Sequence, residues 1–102
     1  MCGISGIYSE KIEPKAINLL CKQMLELINH RGPDEKGIIN HKSFSCGVVR
    51  LSIEAIHYGK QPIENNRYII GFNGEIFNYK SLIKKYNFSS KIINCEIKLL
   101  LK

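Results

Sequence analysis

Loss of the initiator Met1 would make Cys2 the amino-terminal residue, with a thiol and a free α-amine in the same amino acid. Methionine aminopeptidases act when the second residue is small, and Cys is small. An α-amine titrates at about 7.7–8.0 in model peptides, so near neutral pH it serves as an unprotonated base. A nucleophile with its base on its own residue needs no His or Asp partner. Taken alone, a cysteine at position 2 is an accident of position; what surrounds it in the chain decides its meaning. The other cysteines stand at 21, 46 and 95, with no C-x-x-C and no metal-ligand spacing, so no metal site is expected and all four read as free thiols. Cys21 falls on the apolar face of a predicted helix and Cys46 inside a predicted strand, where both serve as small core residues.

The charged residues narrow the search. Of 15 basic residues 12 are Lys and three are Arg, and the chain carries 17 Ile and 9 Asn. A net charge of +6 built this way is a compositional bias with scattered lysines, not a binding face for nucleic acid. In such a chain an Arg has a reason to be there. Two of the three, Arg31 and Arg50, lie in short dense strings, and so does the single Asp, Asp34. Arg50 could grip a carboxylate with two parallel bonds; as a strand-end surface charge it would be less apt, since Lys would have sufficed.

Elements must hold these groups. Residues 3 to 8 alternate small and apolar positions and predict a first strand. Pro14 suits a helix start, and Ile17, Leu20, Cys21, Met24 and Ile28 recur at helical spacing, which predicts an amphipathic helix over 14–29. The segment His30-Arg31-Gly32-Pro33-Asp34 breaks it. Two strands follow, one holding Ile38 and Ile39 and one running from Phe44 to Ile53, around a turn at Asn40 to Lys42. Tyr58 to Asn66 reads as loop, Arg67 to Phe72 as a strand, and 79–86 and 95–102 as helices, the last capped by Asn94. The order is mixed α+β, without repeats or low-complexity tracts. No apolar run is long enough to span a membrane and no signal peptide is read, so a cytoplasmic protein without a membrane partner is expected.

The strings, in this order and spacing, are Cys2-Gly3-Ile4-Ser5-Gly6-Ile7, His30-Arg31-Gly32-Pro33-Asp34 with Gly37, Arg50-Leu51-Ser52-Ile53 with Gln61-Pro62, and Asn73-Gly74-Glu75-Ile76-Phe77-Asn78-Tyr79 with Leu82. Together they resemble the class II, N-terminal-nucleophile glutamine amidotransferase domain, as found in glutamine-hydrolysing asparagine synthetases. The resemblance runs from residue 2 to about 101. It implies the first part of a four-layer αββα sandwich with mixed antiparallel sheets. It also implies hydrolysis of L-glutamine through a Cys2 thioester, with the ammonia passed on for asparagine or another amide. Asn73 and Gly74 match the oxyanion donors, and the bland reading of Asn-Gly as a β-turn is compatible with that. Arg50 matches the residue that binds the α-carboxylate. The backbone of Leu51, Ser52 and Ile53 lines the pocket, and Glu75 lies near the ammonium. His30 to Asp34 forms a loop beside the site; Gly32 and Pro33 also read as plain turn residues, and Arg31 and Asp34 hold the loop.

Some positions depart from the pattern. The family's ammonium-binding Asp is here Asn94, which keeps an acceptor but loses the charge, so weaker glutamine binding is expected. Val48 replaces a frequent His and Ala55 an acid. The family domain continues with further strands, and a synthetase domain, which binds ATP and magnesium, follows it; residues 1–102 are thus expected to be a partial domain with no cofactor of its own. Without partner strands, apolar faces and edges would be uncovered. The chain is then a fragment, one half of a pair completed by a synthetase polypeptide or complementing subunit, or a remnant. An impaired, non-catalytic binding or structural subunit is the alternative to a glutaminase.

Overall fold

Backbone pairing organises the first half of the chain. The computed structural model describes residues 2–51, 59–90, 93 and 95–102. Strand β1 (Gly3–Tyr8) and strand β2 (Glu35–His41) both pair antiparallel with β3 (Phe44–Arg50), giving a three-stranded sheet in the order β1-β3-β2. The register sets Gly3 opposite Val49 and Glu35 opposite Arg50. The hairpin between β2 and β3 turns at Lys42-Ser43, slightly later than the sequence indicates, because pairing continues out to His41 and Phe44.

Helix α1 (Pro14–Leu27) lies across one face of this sheet, with Pro14 in its first turn as expected. It ends two residues early, in a single 3-10 turn over Asn29–Arg31. The buried ridge is Ile17, Cys21 and Leu25, whereas Leu20 and Met24 are exposed. The sequence pattern placed Leu20 and Met24 on the inner face and passed over Leu25. A sheet of three strands is narrow and takes one ridge of the helix rather than two. The residues it offers are small. Ser5 Oγ lies 3.4 Å from Cys21 Sγ. Gly47 makes the seat for Leu25: a Cβ at position 47 would stand 2.5 Å from Leu25 Cδ1. Gly3 is similarly open to Ile28, whose Cδ1 would be 2.9 Å from an added Cβ. Burial of a side chain the size of Ile17 or Leu25 contributes about 1.5–3 kcal/mol. Cys21 and Cys46 are both buried thiols, as the sequence indicates; burial, then the neighbouring Cys21, raise the Cys46 pKa.

The second half is made of shorter pieces. Strands β4 (Ile63–Glu64) and β5 (Ile69–Ile70) form a two-stranded hairpin. The six-residue strand expected over 67–72 is therefore reduced to two residues, and β4 lies inside the expected loop. Asn65 is the physical reason. Its side-chain oxygen accepts hydrogen bonds from the backbone N–H groups of Arg67 and Tyr68, both at 2.9 Å, and so removes two donors from any longer ladder. Helix α2 (Tyr79–Lys85) stops where Asn87 adopts φ 53°, with Phe88 N–H bonding Ile83 O and Asn87 N–H bonding Lys84 O. Helix α3 (Glu96–Leu100) is shorter than the expected 95–102. Its N-cap position is Cys95, not the expected Asn94, which lies outside the described residues. Ile83, Ile93, Cys95 and Ile97 are buried here. Among the described residues no helix is long and apolar enough to cross a membrane.

The seat of Leu25 yields a test. Leu25→Ala is expected to cost about 2–5 kcal/mol, and Gly47→Ala about 1–3 kcal/mol through overpacking. The double variant should cost less than the sum, because the new methyl group occupies space that Leu25 has left. Urea denaturation of the four proteins reads this out; strict additivity would show that the two residues do not share the space.

Candidate active site

The register of the sheet brings the chemical groups together. Gly3 pairs with Val49 at the end of the β1–β3 register, and Arg50, the next residue of β3, pairs with Glu35 of β2. Cys2, Arg50 and Glu35 thus lie at the same end of the three-stranded sheet. Alternation along the strands fixes their face. Gly3, Ser5 and Gly47 face α1, so Cys2, Ile4, Val48 and Arg50 belong to the opposite face. Glu35 shares it, since its carboxylate bonds Arg50.

The 29–34 segment clamps this end of the sheet. Arg31 Nε donates to the backbone oxygen of Cys2 at 3.1 Å. Gly32 N–H bonds Asn29 O, and Asp34 N–H bonds Arg50 O. Pro33 bridges to Arg50 in parallel fashion. Gly32 lies flush on β3, where an added Cβ would collide with the backbone of Val49 and with Arg50 N. Arg31, expected to hold the loop, ties this segment to the backbone of Cys2. Gly32 is more than a turn residue, being where the loop approaches the strand too closely for a side chain.

Arg50 is not the strand-end surface charge of the bland reading. It is 5% exposed, and its Nη1 donates to Glu35 Oε2 at 2.7 Å. A guanidinium so withdrawn from water needs a countercharge, because the desolvation of an unpaired ion outweighs most local interactions. Glu35 supplies that charge. Sequence reading missed it, although a glutamate just before a predicted strand, beside an Arg-bearing one, was the available signal.

Two further segments cross the same face. An added Cβ on Gly37 would collide with Gln61 O, so the Gln61-Pro62 segment, joined by a cis peptide bond, rests on β2. An added Cβ on Gly71 would be 2.9 Å from Val48 Cγ2 and 3.6 Å from Ile4 Cγ2, which seats Gly71 over β1 and β3. Val48, the replacement for a frequent family His, is fully buried. The exposed Asn73-Gly74-Glu75 string comes just after. It is held on both sides: Phe72 N–H donates to Gln61 Oε1 at 2.7 Å and Ile76 N–H to Glu96 Oε2 at 2.9 Å. Neither Asn73 nor Gly74 has a positive φ, so this Asn-Gly is not the tight hairpin turn such a pair often makes. Gln61 and Glu96 are the anchors of the string; Gln61 was legible as part of a motif but not in this role, and Glu96 was not singled out. Leu51 is half-buried directly after Arg50. Of the other expected site residues, Ser52, Ile53 and Asn94 lie outside the described residues, as does Ala55.

The chain matches the family model of the glutamine amidotransferase domain over residues 1–96, and it belongs to that family. Among individual proteins it is similar to asparagine synthetase [glutamine-hydrolyzing] 1 of Bacillus subtilis, at 40% identity over 86 residues covering 80% of this chain and 14% of that protein. It is also similar to asparagine synthetase B [glutamine-hydrolyzing] of Escherichia coli, at 32% identity over 84% of this chain and 16% of the relative. A putative asparagine synthetase [glutamine-hydrolyzing] 2 of Methanocaldococcus jannaschii is 33% identical over 89% of this chain and 21% of its own length. The chain therefore spans about a fifth or less of the relatives it matches.

The clamp can be tested by contrast. Gly32→Ala must move the 29–34 segment off β3 and should destabilise the chain by about 1–3 kcal/mol or more. At Gly6 an added Cβ would meet only Ser45 O, at 3.6 Å, so Gly6→Ala should be neutral or stabilising by up to about 1 kcal/mol. Urea midpoints of both variants check the pair; equal values would contradict the close approach.

Proposed function

We propose that this chain carries the nucleophile and the substrate anchor of a glutamine-hydrolysing site of N-terminal-nucleophile type, within the αββα architecture that its helix-on-sheet half begins. The ammonia produced would serve amide synthesis, as the names of the asparagine synthetase relatives indicate for those proteins. The observation that carries the reading is the β1–β3 register, which brings Cys2 and the buried Arg50 to the same end of the sheet.

In this reading the Cys2 thiolate attacks the side-chain amide carbon of glutamine. The α-amine of Cys2, free once Met1 is removed, takes the thiol proton and delivers it to the departing ammonia. A glutamyl thioester remains. Water attacks it, the thiolate leaves and recovers a proton, and glutamate is released. The oxyanion of each tetrahedral intermediate is met by the Asn73 side-chain amide and the Gly74 N–H, each such donor being worth about 3 kcal/mol of barrier. Hydrogen bonds from Phe72 to Gln61 and from Ile76 to Glu96 support that role, since donors act best when they do not have to reorganise. Arg50 binds the α-carboxylate, and Leu51, Ser52 and Ile53 line the pocket, with Glu75 and Asn94 on the ammonium side. Arg31, Gly32 and Asp34 keep the nucleophile's end of the sheet in place. L-glutamine is the small-molecule partner, and a synthetase polypeptide or complementing subunit is the macromolecular one.

Ammonia release from glutamine by the purified chain is the test, with loss of Met1 verified by intact mass. Release should vanish in Cys2→Ala, and Asn73→Ala should lower kcat about a hundredfold to a thousandfold. The rate should climb as pH rises through about 7–8, the range in which an α-amine loses its proton and becomes a base. A folded protein with no release, or release that survives Cys2→Ala, would refute the reading and favour a non-catalytic subunit.

A further inference from the structure

Of the nine asparagines, Asn73 alone precedes a glycine. The backbone nitrogen after an asparagine can attack that residue's side-chain amide, and a side chain beside the nitrogen hinders the approach. Each of the other asparagines is followed by such a side chain; Gly74 has none and leaves the approach open. We propose that Asn73 is a site of spontaneous covalent modification, in which the Gly74 nitrogen displaces ammonia from the Asn73 side chain and water then yields aspartate or isoaspartate. The step needs no other reagent. A bond forms between Gly74 N and Asn73 Cγ, the Cγ–Nδ2 bond breaks, and the Gly74 N–H proton leaves with the ammonia. The five-membered imide then takes up one water at either of its carbonyls.

The fold leaves this route open. Asn73 and Gly74 are both exposed, so hydroxide and water reach them. They lie between β5 and α2, outside any helix or strand whose backbone bonds would hold the nitrogen. Among the described residues no hydrogen bond engages the Gly74 N–H or the Asn73 side chain, whereas Phe72 and Ile76 on either side are each tied through their N–H. In the glutaminase reading these two groups are the oxyanion donors. A donor left unpaired to meet an oxyanion is also a nitrogen left free to attack. The modification does not depend on that reading, but its consequence for activity rests on it. Aspartate or isoaspartate at position 73 removes a donor and sets a negative charge where the oxyanion forms. Each converted chain should then lose activity about a hundredfold or more.

The experiment incubates the purified, folded chain in mildly alkaline buffer and follows intact mass and the tryptic peptide 68–80 over time. Fragmentation that separates aspartate from isoaspartate locates the change. That peptide also contains Asn78, which is exposed and precedes Tyr79, as an internal control. Conversion should occur at Asn73 well ahead of Asn78, with isoaspartate among the products, and should quicken as pH rises, since the attacking nitrogen must lose its proton. Gly74→Ala should slow it at least about tenfold, the equivalent of about 1.4 kcal/mol of barrier. The urea-unfolded chain gives the rate of the bare dipeptide, and the folded chain should stay within about tenfold of it. Cys2→Ala should convert at the parent rate, so this ammonia is separate from glutamine turnover. A folded rate slower than that limit, an Asn73 no faster than Asn78, or a rate untouched by Gly74→Ala would overturn the proposal, whatever the chain does to glutamine. Complete conversion with glutaminase activity intact would support the modification and refute the donor role of Asn73.

Discussion

A single ladder of backbone hydrogen bonds, between β1 and β3, fixes the amino end of this chain against its central strand. Cys2 lies at the extreme amino end, where a short peptide would ordinarily fray. Pairing of residues 3–8 with 44–49 binds that end to the central strand. A slip of one residue would carry Cys2 to the helix side of the sheet and Arg50 away from it. The small residues beneath α1 guard against such a slip, since Gly47 and Ser5 accept Leu25 and Cys21 in one register only. Packing on one face thereby fixes which residues the other face presents.

Around this ladder the molecule distributes charge economically. Arg31 is used through a single nitrogen on the Cys2 carbonyl, and Arg50 is withdrawn from water and balanced by Glu35. These two arginines do what a lysine could not: a planar, permanently charged group can donate in fixed directions from within a partly buried setting. By contrast, Lys36 pairs with Glu26 at the exposed surface.

How much of this could be read in advance depended on the range of the interaction. Strand β1, helix α1, the β2–β3 hairpin and α2 were legible because alternation, helical spacing and a proline start are local signals. The core thiols Cys21 and Cys46 followed from the same patterns. Leu25 was missed because its seat is made by Gly47, twenty-two positions away, and no periodicity within α1 can distinguish it from Met24. The strand over 67–72 failed because a side-chain amide at Asn65 competes with the ladder. The expected cap of α3, Asn94, lies outside the described residues, and the N-cap position is Cys95. The motif residues Cys2, Arg50, Gly32 and Gln61 could be picked out, but the pairing of Arg50 with Glu35 and the anchoring of Phe72 by Gln61 and of Ile76 by Glu96 could not, since each is a contact between separate segments.

Several glycines lie where any side chain would strike a neighbour, most severely Gly32 against β3 and Gly37 against Gln61. The chain is at the same time rich in Lys, Ile and Asn, residues with codons dominated by A and T, whereas every glycine codon begins with two G bases. At Gly32 and Gly37 a codon change to any other residue meets a steric wall at the points where loops touch the sheet.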